Sequence, residues 1–238
     1  MELTLKELII NPAGKGSGDV NARYRIIDDL KKKFKTLSEK HDFFFAGYKN
    51  KEKIVFHTQV PSETLLQPFR FDVIIEANLP EKFTKQGLLA SNIKIFSNIA
   101  SFVYFYAYVA NKEDLLVPWL EDKLPSKALK EKPRVRNPAE RIGFEKSIFY
   151  ASQFILQNRL FDPAVIKFSK LDYKKIYDTI ETFDDNFLIY NKLKKKEALA
   201  RKKNKKANKN SNNKSNKKKI SSIKKIRRKP SVRSVKKV

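Results

Sequence analysis

The stretch that decides the fold is residues 42–58, DFFFAGYKNKEKIVFHT. It contains two runs of aromatic and β-branched residues, which pleated strands favour, separated by the polar residues KNKE. This pattern predicts a β-hairpin with its turn at residues 49–52. Two further β-branched runs follow, and the first of them, FDVIIE, is expected in the interior of the sheet. The predicted strands are 42–48, 53–58, 71–76 and 92–97.

Helical patterns lie on both sides of these strands. Thr4 and Glu7 have the spacing of a capping box, which predicts a short helix over residues 5–10, while a strand over residues 3–10 is also compatible with the sequence. Farther along, apolar residues recur with helical spacing in several segments. The predicted helices are 5–10, 21–39, 144–160, 173–183 and 185–200.

Two segments in the middle of the chain have less definite patterns. Residues 101–110 satisfy both the period of a helix and the period of a strand. Residues 118–138 are charged and interrupted by proline, which predicts a long surface connection. Together the patterns predict an α+β fold with a mixed β-sheet in the N-terminal half and a helical C-terminal half, followed by a disordered basic tail.

The charge of the chain is concentrated at its C-terminus. The 238 residues include 52 Lys and Arg against 26 Asp and Glu, a formal net charge of +26. Residues 194–238 carry 21 of these basic residues and a single acid, Glu197, and they contain no aromatic residue. Because such a segment cannot bury enough apolar surface to order itself, we predict a globular body over 1–193 and a disordered arm over 194–238. Helix is compatible with residues 194–203.

The arm is expected to bind a polyanion, and nucleic acid is the favoured partner. It offers clusters of Lys and Arg with no ring to stack on bases, so it should contact phosphates without sequence preference. A tail that only promotes solubility and a tether to acidic lipids are the alternatives. The residues predicted to bind nucleic acid are Lys194, Lys195, Lys196, Arg201, Lys202, Lys203, Lys205, Lys206, Lys217, Lys218, Lys219, Lys224, Lys225, Arg227, Arg228 and Lys229.

Composition excludes several classes of protein. The chain has no cysteine, which excludes disulfides, cysteine nucleophiles and Cys-ligated zinc. The first residues do not have the pattern of a signal peptide, and no window approaches the ~18 apolar residues of a membrane span. We therefore expect a soluble intracellular protein, or part of a particle assembled inside a cell, that is neither secreted nor transmembrane. No cofactor is predicted.

Few residues suggest catalysis. Asp72 and Glu76 fall on one face of a predicted strand, which is compatible with a nuclease metal pair and equally with a solvated face. The lysine that such nucleases place after the glutamate is absent. We interpret His41, beside a helix end, and His57, among apolar strand residues, as structural. The sequence predicts no enzyme and no metal site.

The segment over residues 12–18 holds three of the six glycines and a lysine just before a helix, an arrangement that can cradle an anion. It does not have the spacing of a Walker A loop. Asn11-Pro12 and Gly14-Lys15-Gly16 are similar to the opening segment of lipid and diacylglycerol kinases, whose Gly-Gly-Asp-Gly-Thr loop this chain lacks. We interpret the segment as a structural or docking loop, with anion contact as the alternative.

The aromatic residues of segment 101–110 predict the core of the body or a protein–protein interface. Stacking platforms for single-stranded nucleic acid interleave Lys and Arg with the rings, but none occurs between Ile95 and Asn111. A tryptophan close to a proline suits an interface anchor. The residues predicted for the interface are Phe102, Tyr104, Tyr106, Tyr108 and Trp119.

The same region resembles a group of tailed-bacteriophage structural proteins. The resemblance is carried by Ile95-Phe96-Ser97-Asn98, Ser101-Phe102-Val103-Tyr104, Ala107-Tyr108-Val109, Leu115-Leu116, Trp119-Leu120, Lys123-Leu124, Arg136-Asn137-Pro138 and Glu145-Lys146-Ser147-Ile148. It extends over about residues 1–190. It implies a virion or assembly component with other virion proteins as partners and no catalytic role, while the basic arm is a departure from the group.

The sequence thus predicts a bacteriophage structural protein that docks on other virion proteins and contacts DNA non-specifically through its basic arm. Oligomerisation is left open, and no membrane partner is expected. The alternative is an intracellular DNA- or RNA-binding accessory factor for replication, transcription or RNA handling. A nuclease that uses Asp72 and Glu76 is a third, less favoured hypothesis.

Overall fold

A computed structural model of the protein describes residues 2–10, 20–65, 69–133 and 145–226, without the side chains of Ile10, residues 20–26 and residues 205–226. The described helices are α1 (Leu5–Ile10), α2 (Val20–Lys40), α3 (Lys85–Ala90), α4 (Ala100–Phe105), α5 (Ala107–Lys112), a 3-10 helix (Pro118–Lys123), α6 (Ser126–Lys130), α7 (Lys146–Gln157), α8 (Tyr173–Tyr177) and α9 (Phe183–Ile226). The described strands are β1 (Phe44–Lys49), β2 (Lys53–Pro61), β3 (Arg70–Asn78), β4 (Ile93–Ser97) and β5 (Ser169–Lys170). The chain divides into two units, Met1–Asn191 and Lys192–Val238.

The five strands form one mixed sheet in the order β4-β3-β2-β1-β5. Strands β1 to β4 pair antiparallel with their neighbours, and β5 is parallel to β1. The predicted hairpin is confirmed: its turn closes where the side-chain Oδ1 of Asn50 accepts the amides of Glu52 at 2.8 Å and Lys53 at 2.7 Å. An asparagine that bonds backbone two and three residues on stabilises such a turn. The predicted α+β fold, with its mixed sheet and helical C-terminal half, is confirmed.

Strand β3 lies in the interior of the sheet, as its sequence predicts. Every residue from Phe71 to Ala77 is buried. A strand with one face in water would have alternate residues exposed. The unbroken burial from Phe71 to Ala77 therefore indicates that both faces of β3 are covered. Helix α7 packs against β2, β3 and β4, and the side chains of Trp119 and Tyr173 approach Glu76 of β3.

The two N-terminal helices follow their local signals. The Thr4 amide donates to Glu7 Oε2 at 2.9 Å and the Glu7 amide donates to Thr4 Oγ1 at 3.2 Å, so the capping box is formed and the helix prevails over the strand. Helix α2 matches the predicted 21–39 within one residue at each end. Its residues Phe34 and Leu37 are buried, as the apolar face requires.

Residues 101–110, which fit both periods, are helical. They form most of α4 and α5, which meet at Tyr106, whose φ of −125° interrupts the helix. The buried residues of this stretch include Val103, Ala107 and Ala110, at spacings of four and three. The helical period therefore prevails because it brings these residues onto one buried side.

Two predicted segments are wrong. The supposed surface connection over 118–138 contains the 3-10 helix and α6, and it buries Leu120 and Leu124 in the core; residues 134–138 lie outside the described residues. The predicted helix 173–183 is only the short α8, because Thr182 Oγ1 accepts the amide of Asp185 at 3.2 Å and caps the next helix.

Helix α9 continues farther than the sequence predicts. Disorder was expected from residue 194, with helix compatible as far as residue 203, but the backbone is helical to Ile226. Lys, Arg and Ala have high helix propensity. In addition, Glu197 Oε2 lies 3.7 Å from Arg201 Nη2 one turn later, and an ion pair at this spacing supports a helix. Within the described part of the chain, no helix has the length and apolar character needed to span a membrane.

Candidate functional site

The predicted nucleic-acid-binding residues belong to α9 as far as the structure describes them. The side chains of residues 194–196 and 201–203 are exposed. Residues 205–225 of the set contribute helical backbone only, and 227–229 lie outside the described residues. Among the described side chains of this segment the one buried charge is Glu197. The segment therefore presents cations with little compensation from acids.

The basic clusters repeat along α9. The triplets that begin at Lys194 and Arg201 are seven residues apart, and the clusters that begin at Lys217 and Lys224 have the same spacing. Seven residues are about two helical turns, so the two clusters of each pair begin roughly 10 Å apart along the helix axis.

The carboxylate of Asp72 is buried in a polar network within the sheet. Its Oδ1 lies 2.8 Å from His57 Nε2 and accepts Gln59 Nε2 at 3.1 Å. Its Oδ2 accepts Asn98 Nδ2 at 3.0 Å, and Asn98 Oδ1 accepts the amide of Asp72 at 2.9 Å. Asp72 is only 4% exposed, so the alternative of a solvated face is wrong for this residue.

Glu76, on the same strand, has a separate set of partners. Trp119 Nε1 donates to its Oε2 at 2.9 Å, and Lys53 Nζ lies 3.5 Å from its Oε1. The structure therefore does not bring Asp72 and Glu76 to a common ion. In the described residues no cluster of three His, Asp or Glu side chains is suited to hold a metal. Pairing and hydrogen bonding of this kind offset the cost of burying a carboxylate, which is a structural role.

The predicted interface residues differ in how exposed they are. Phe102 is fully buried and belongs to the core, so it is not available to a partner. Tyr106, Tyr108 and Trp119 are half-buried. Tyr104 is 51% exposed, and its ring packs edge-on against Phe183. The helical form of residues 101–110 explains why their exposure differs, because successive residues of a helix point in different directions.

The body contains a cavity of about 320 Å³ that no pattern in the sequence predicted. Its lining joins the ends of β2 and β3 to α4, α7 and the first turns of α9. The lining rings come from strand and helices, and the polar groups lie mainly on the segment after β2 and on α7. The lining includes Glu63, Phe71, Lys146, Tyr150, Phe187 and Tyr190.

Glu63 is the central polar group of this cavity. Its Oε1 accepts the hydroxyl of Tyr150 at 2.5 Å, and its Oε2 accepts Lys146 Nζ. Burial alone would raise the pKa of Glu63, but the hydrogen bonds from Lys146 and Tyr150 prevail and hold that pKa below its ordinary value. Burial, together with the bond to Glu63, raises the pKa of Tyr150. Glu63 is therefore the acceptor and Tyr150 the donor.

Glu145 is a second carboxyl group close to the cavity wall, and it is 3% exposed. It caps α7 by accepting the Ser147 amide at 2.6 Å, and it also accepts the Ser147 hydroxyl. The hydroxyl of Ser101 on α4 donates to its other oxygen at 2.8 Å. Burial raises the pKa of Glu145 despite these hydrogen bonds. The group ties α4 to α7 and resists ionisation.

These residues were missed because their contacts are distant in sequence. Glu63 is 83 residues from Lys146 and 87 from Tyr150. No spacing rule connects residues at such a separation, and Glu63 stands in a segment without any motif. The glycine segment over 12–18, which was singled out instead, lies outside the described residues.

Comparisons with known proteins give no relative for this chain. No family model, no curated protein and no solved structure matches it.

Proposed function

We propose that this protein is a structural component of a bacteriophage particle that binds nucleic acid non-specifically through its C-terminal basic segment. One observation carries the binding part of the proposal: residues 194–238 hold 21 Lys and Arg against a single acid. That acid, Glu197, is itself paired with Arg201. Phosphates are the groups that such a segment neutralises best.

The mode of binding follows from the absence of aromatic residues in the segment. Lys and Arg that contact phosphates position a protein on nucleic acid but read no sequence. Each phosphate neutralised on duplex DNA releases counterions and contributes about −0.9 to the log–log salt slope. If 6–10 phosphates are contacted, the expected slope is roughly −5 to −9.

The virion part of the proposal rests on the resemblance described for residues 95–124 and beyond. In this setting the body docks on other virion proteins, and the exposed ring of Tyr104 is the predicted interface residue best presented for such a contact. Portal, capsid and tail genes are expected on either side of the gene for this protein. Replication or transcription genes in their place would favour the accessory factor.

A pair of matched variants tests the binding segment in the full-length chain. In the first, Lys217, Lys218 and Lys219 become Gln; in the second, the exposed body residues Lys31, Lys32 and Lys35 become Gln. Both variants lose three lysines. Anisotropy titrations on duplex DNA at several salt concentrations should show the slope reduced by up to about 2.7 in the first variant and unchanged in the second.

A truncation to residues 1–193 should remove most of the affinity and most of the slope. Equal losses in the two triple variants would contradict the assignment to the C-terminal segment. Unchanged affinity and slope in the truncated protein would refute it.

A further inference from the structure

We propose that the cavity around Glu63 binds one unpaired nucleobase, and that guanine is the base that fits it. The inference rests on the proposed nucleic-acid binding and gives it a second, base-selective site in the body. It starts from size: about 320 Å³ is at the lower end of the range of small-molecule sites, roughly 300–1,000 Å³, and suits a single planar group.

The walls of the cavity are suited to an aromatic ligand. Phe187 and Tyr190 are three residues apart on α9 and therefore lie on the same side of that helix. The ring of Phe71 lies 5.6 Å from that of Tyr190 at an angle of 51°. The Tyr190 hydroxyl is held at 2.8 Å from Thr64 Oγ1, which fixes this ring at the cavity wall. Aromatic walls of this kind bind the faces of bases.

The polar end of the cavity selects donors. Among the described residues, each oxygen of the Glu63 carboxylate accepts one hydrogen bond, from Tyr150 or from Lys146. A carboxylate has about four acceptor positions, so both oxygens keep capacity for one more donor. Two adjacent acceptors match two adjacent N–H groups. Guanine presents such a pair on its Watson–Crick edge, in N1–H and the N2 amino group.

Two lysines act on the Glu63 carboxylate. Lys146, whose side chain is 40% exposed, bonds to it, and Lys33 of α2 acts on it through its charge. These ammonium groups keep Glu63 ionised and therefore an acceptor of hydrogen bonds.

Nucleoside monophosphates are suitable probes for the full-length protein. Calorimetric titrations with GMP, AMP, CMP and UMP at 0.5 M salt should show GMP bound at least tenfold more tightly than the others, because high salt suppresses the contacts of the basic segment. Oligomers of dG and dA of equal length then distinguish a free nucleotide from a single strand: tighter binding of the dG oligomer than of GMP indicates the strand.

Two variants test the cavity. Glu63→Gln replaces one acceptor by a donor and should abolish the preference for GMP. Ala100→Leu fills the lining from the first residue of α4 and should abolish binding of every base. Ala90→Leu is the matched control, since exposed Ala90 lines a different hollow, and it should bind GMP as the parent does. Circular dichroism establishes that each variant is folded.

Several results would overturn the inference. They are equal binding of all four nucleotides, binding of none of them, or GMP binding retained in a folded Ala100→Leu variant. Binding of a partner protein that Ala100→Leu abolishes, with no nucleotide bound, would assign the cavity to a protein side chain instead. Neither cavity variant should change the salt slope of binding to duplex DNA. The inference about the cavity can therefore fail while the slope still supports the proposed function of the basic segment.

Discussion

Replacing Glu145 by glutamine should change how the stability of the body depends on pH. Burial raises the pKa of this carboxyl above its ordinary value of 4.5. A raised pKa in the folded state means that the stabilisation is fully present below pH 4.5 and is lost as the pH rises through the folded-state pKa. For one proton, the free energy of unfolding falls by up to about 1.4 kcal/mol per pH unit in that window. Glutamine does not titrate and escapes this loss.

At a pH below the range in which Glu145 titrates, the stability difference between the parent and Glu145→Gln follows from the hydrogen bonds. Three donors converge on Glu145, from the Ser147 amide, the Ser147 hydroxyl and the Ser101 hydroxyl. Glutamine offers one acceptor oxygen, so a donor loses its partner and the variant should be about 1 kcal/mol less stable than the parent at pH 4. As the pH rises through the folded-state pKa of Glu145, this difference should shrink.

Urea unfolding followed by circular dichroism between pH 4 and pH 8 provides the measurement. Glu145→Ala is the control: it should run parallel to Glu145→Gln with pH, since neither titrates at this position, and lie about 1 kcal/mol lower because the cap of α7 is lost. A stability difference between the parent and Glu145→Gln that does not vary with pH would refute the reasoning. It would mean that Glu145 ionises alike in the folded and unfolded chain.

Three further substitutions test packing around the sheet. Trp119→Phe removes the donor to the buried carboxylate of Glu76 and should lower the free energy of unfolding by about 1.5–3 kcal/mol in urea titrations. Tyr173→Phe, which removes a more exposed hydroxyl near the same carboxylate, should cost less, and a reversed order would contradict the importance assigned to the indole bond. Gly47→Ala would place a Cβ 2.6 Å from the ring of Phe168, so that ring must shift. The free energy of unfolding should fall by about 1–3 kcal/mol, and the melting midpoint should fall with it. An unchanged midpoint would show that the ring moves freely.

Local signals account for most of the fold that the sequence predicted correctly. The capping box of α1, the Asn50 turn and the β-branched run of β3 each act over a few residues, and each formed as expected. The predicted 144–160 helix is α7, which begins later because Glu145 caps it. Such features depend on nearest neighbours in the chain, which is why spacing alone reveals them.

The parts that the sequence did not predict depend on contacts between distant segments. The prolines and charges of residues 118–138 predicted a surface connection and not the 3-10 helix. That helix forms because Leu120 and Leu124 are buried in the core. The pairing of Asp72 with Asn98 joins residues 26 apart, and Glu63 reaches Lys146 from 83 residues away. Packing between distant segments determines these arrangements, and periodic patterns in the sequence do not reveal such packing.

Charge compensation separates the two binding sites proposed for this protein. Acids of the body have nearby cationic partners, as buried Glu76 has in Lys53 and the more exposed Glu63 has in Lys146. Residues 194–238 have one acid for 21 cations, so their attraction to phosphates should weaken steeply with salt. A base held by apolar rings and by a partly buried carboxylate is screened far less. Raising the salt concentration should therefore remove the unspecific binding first and leave the preference for guanine measurable on its own.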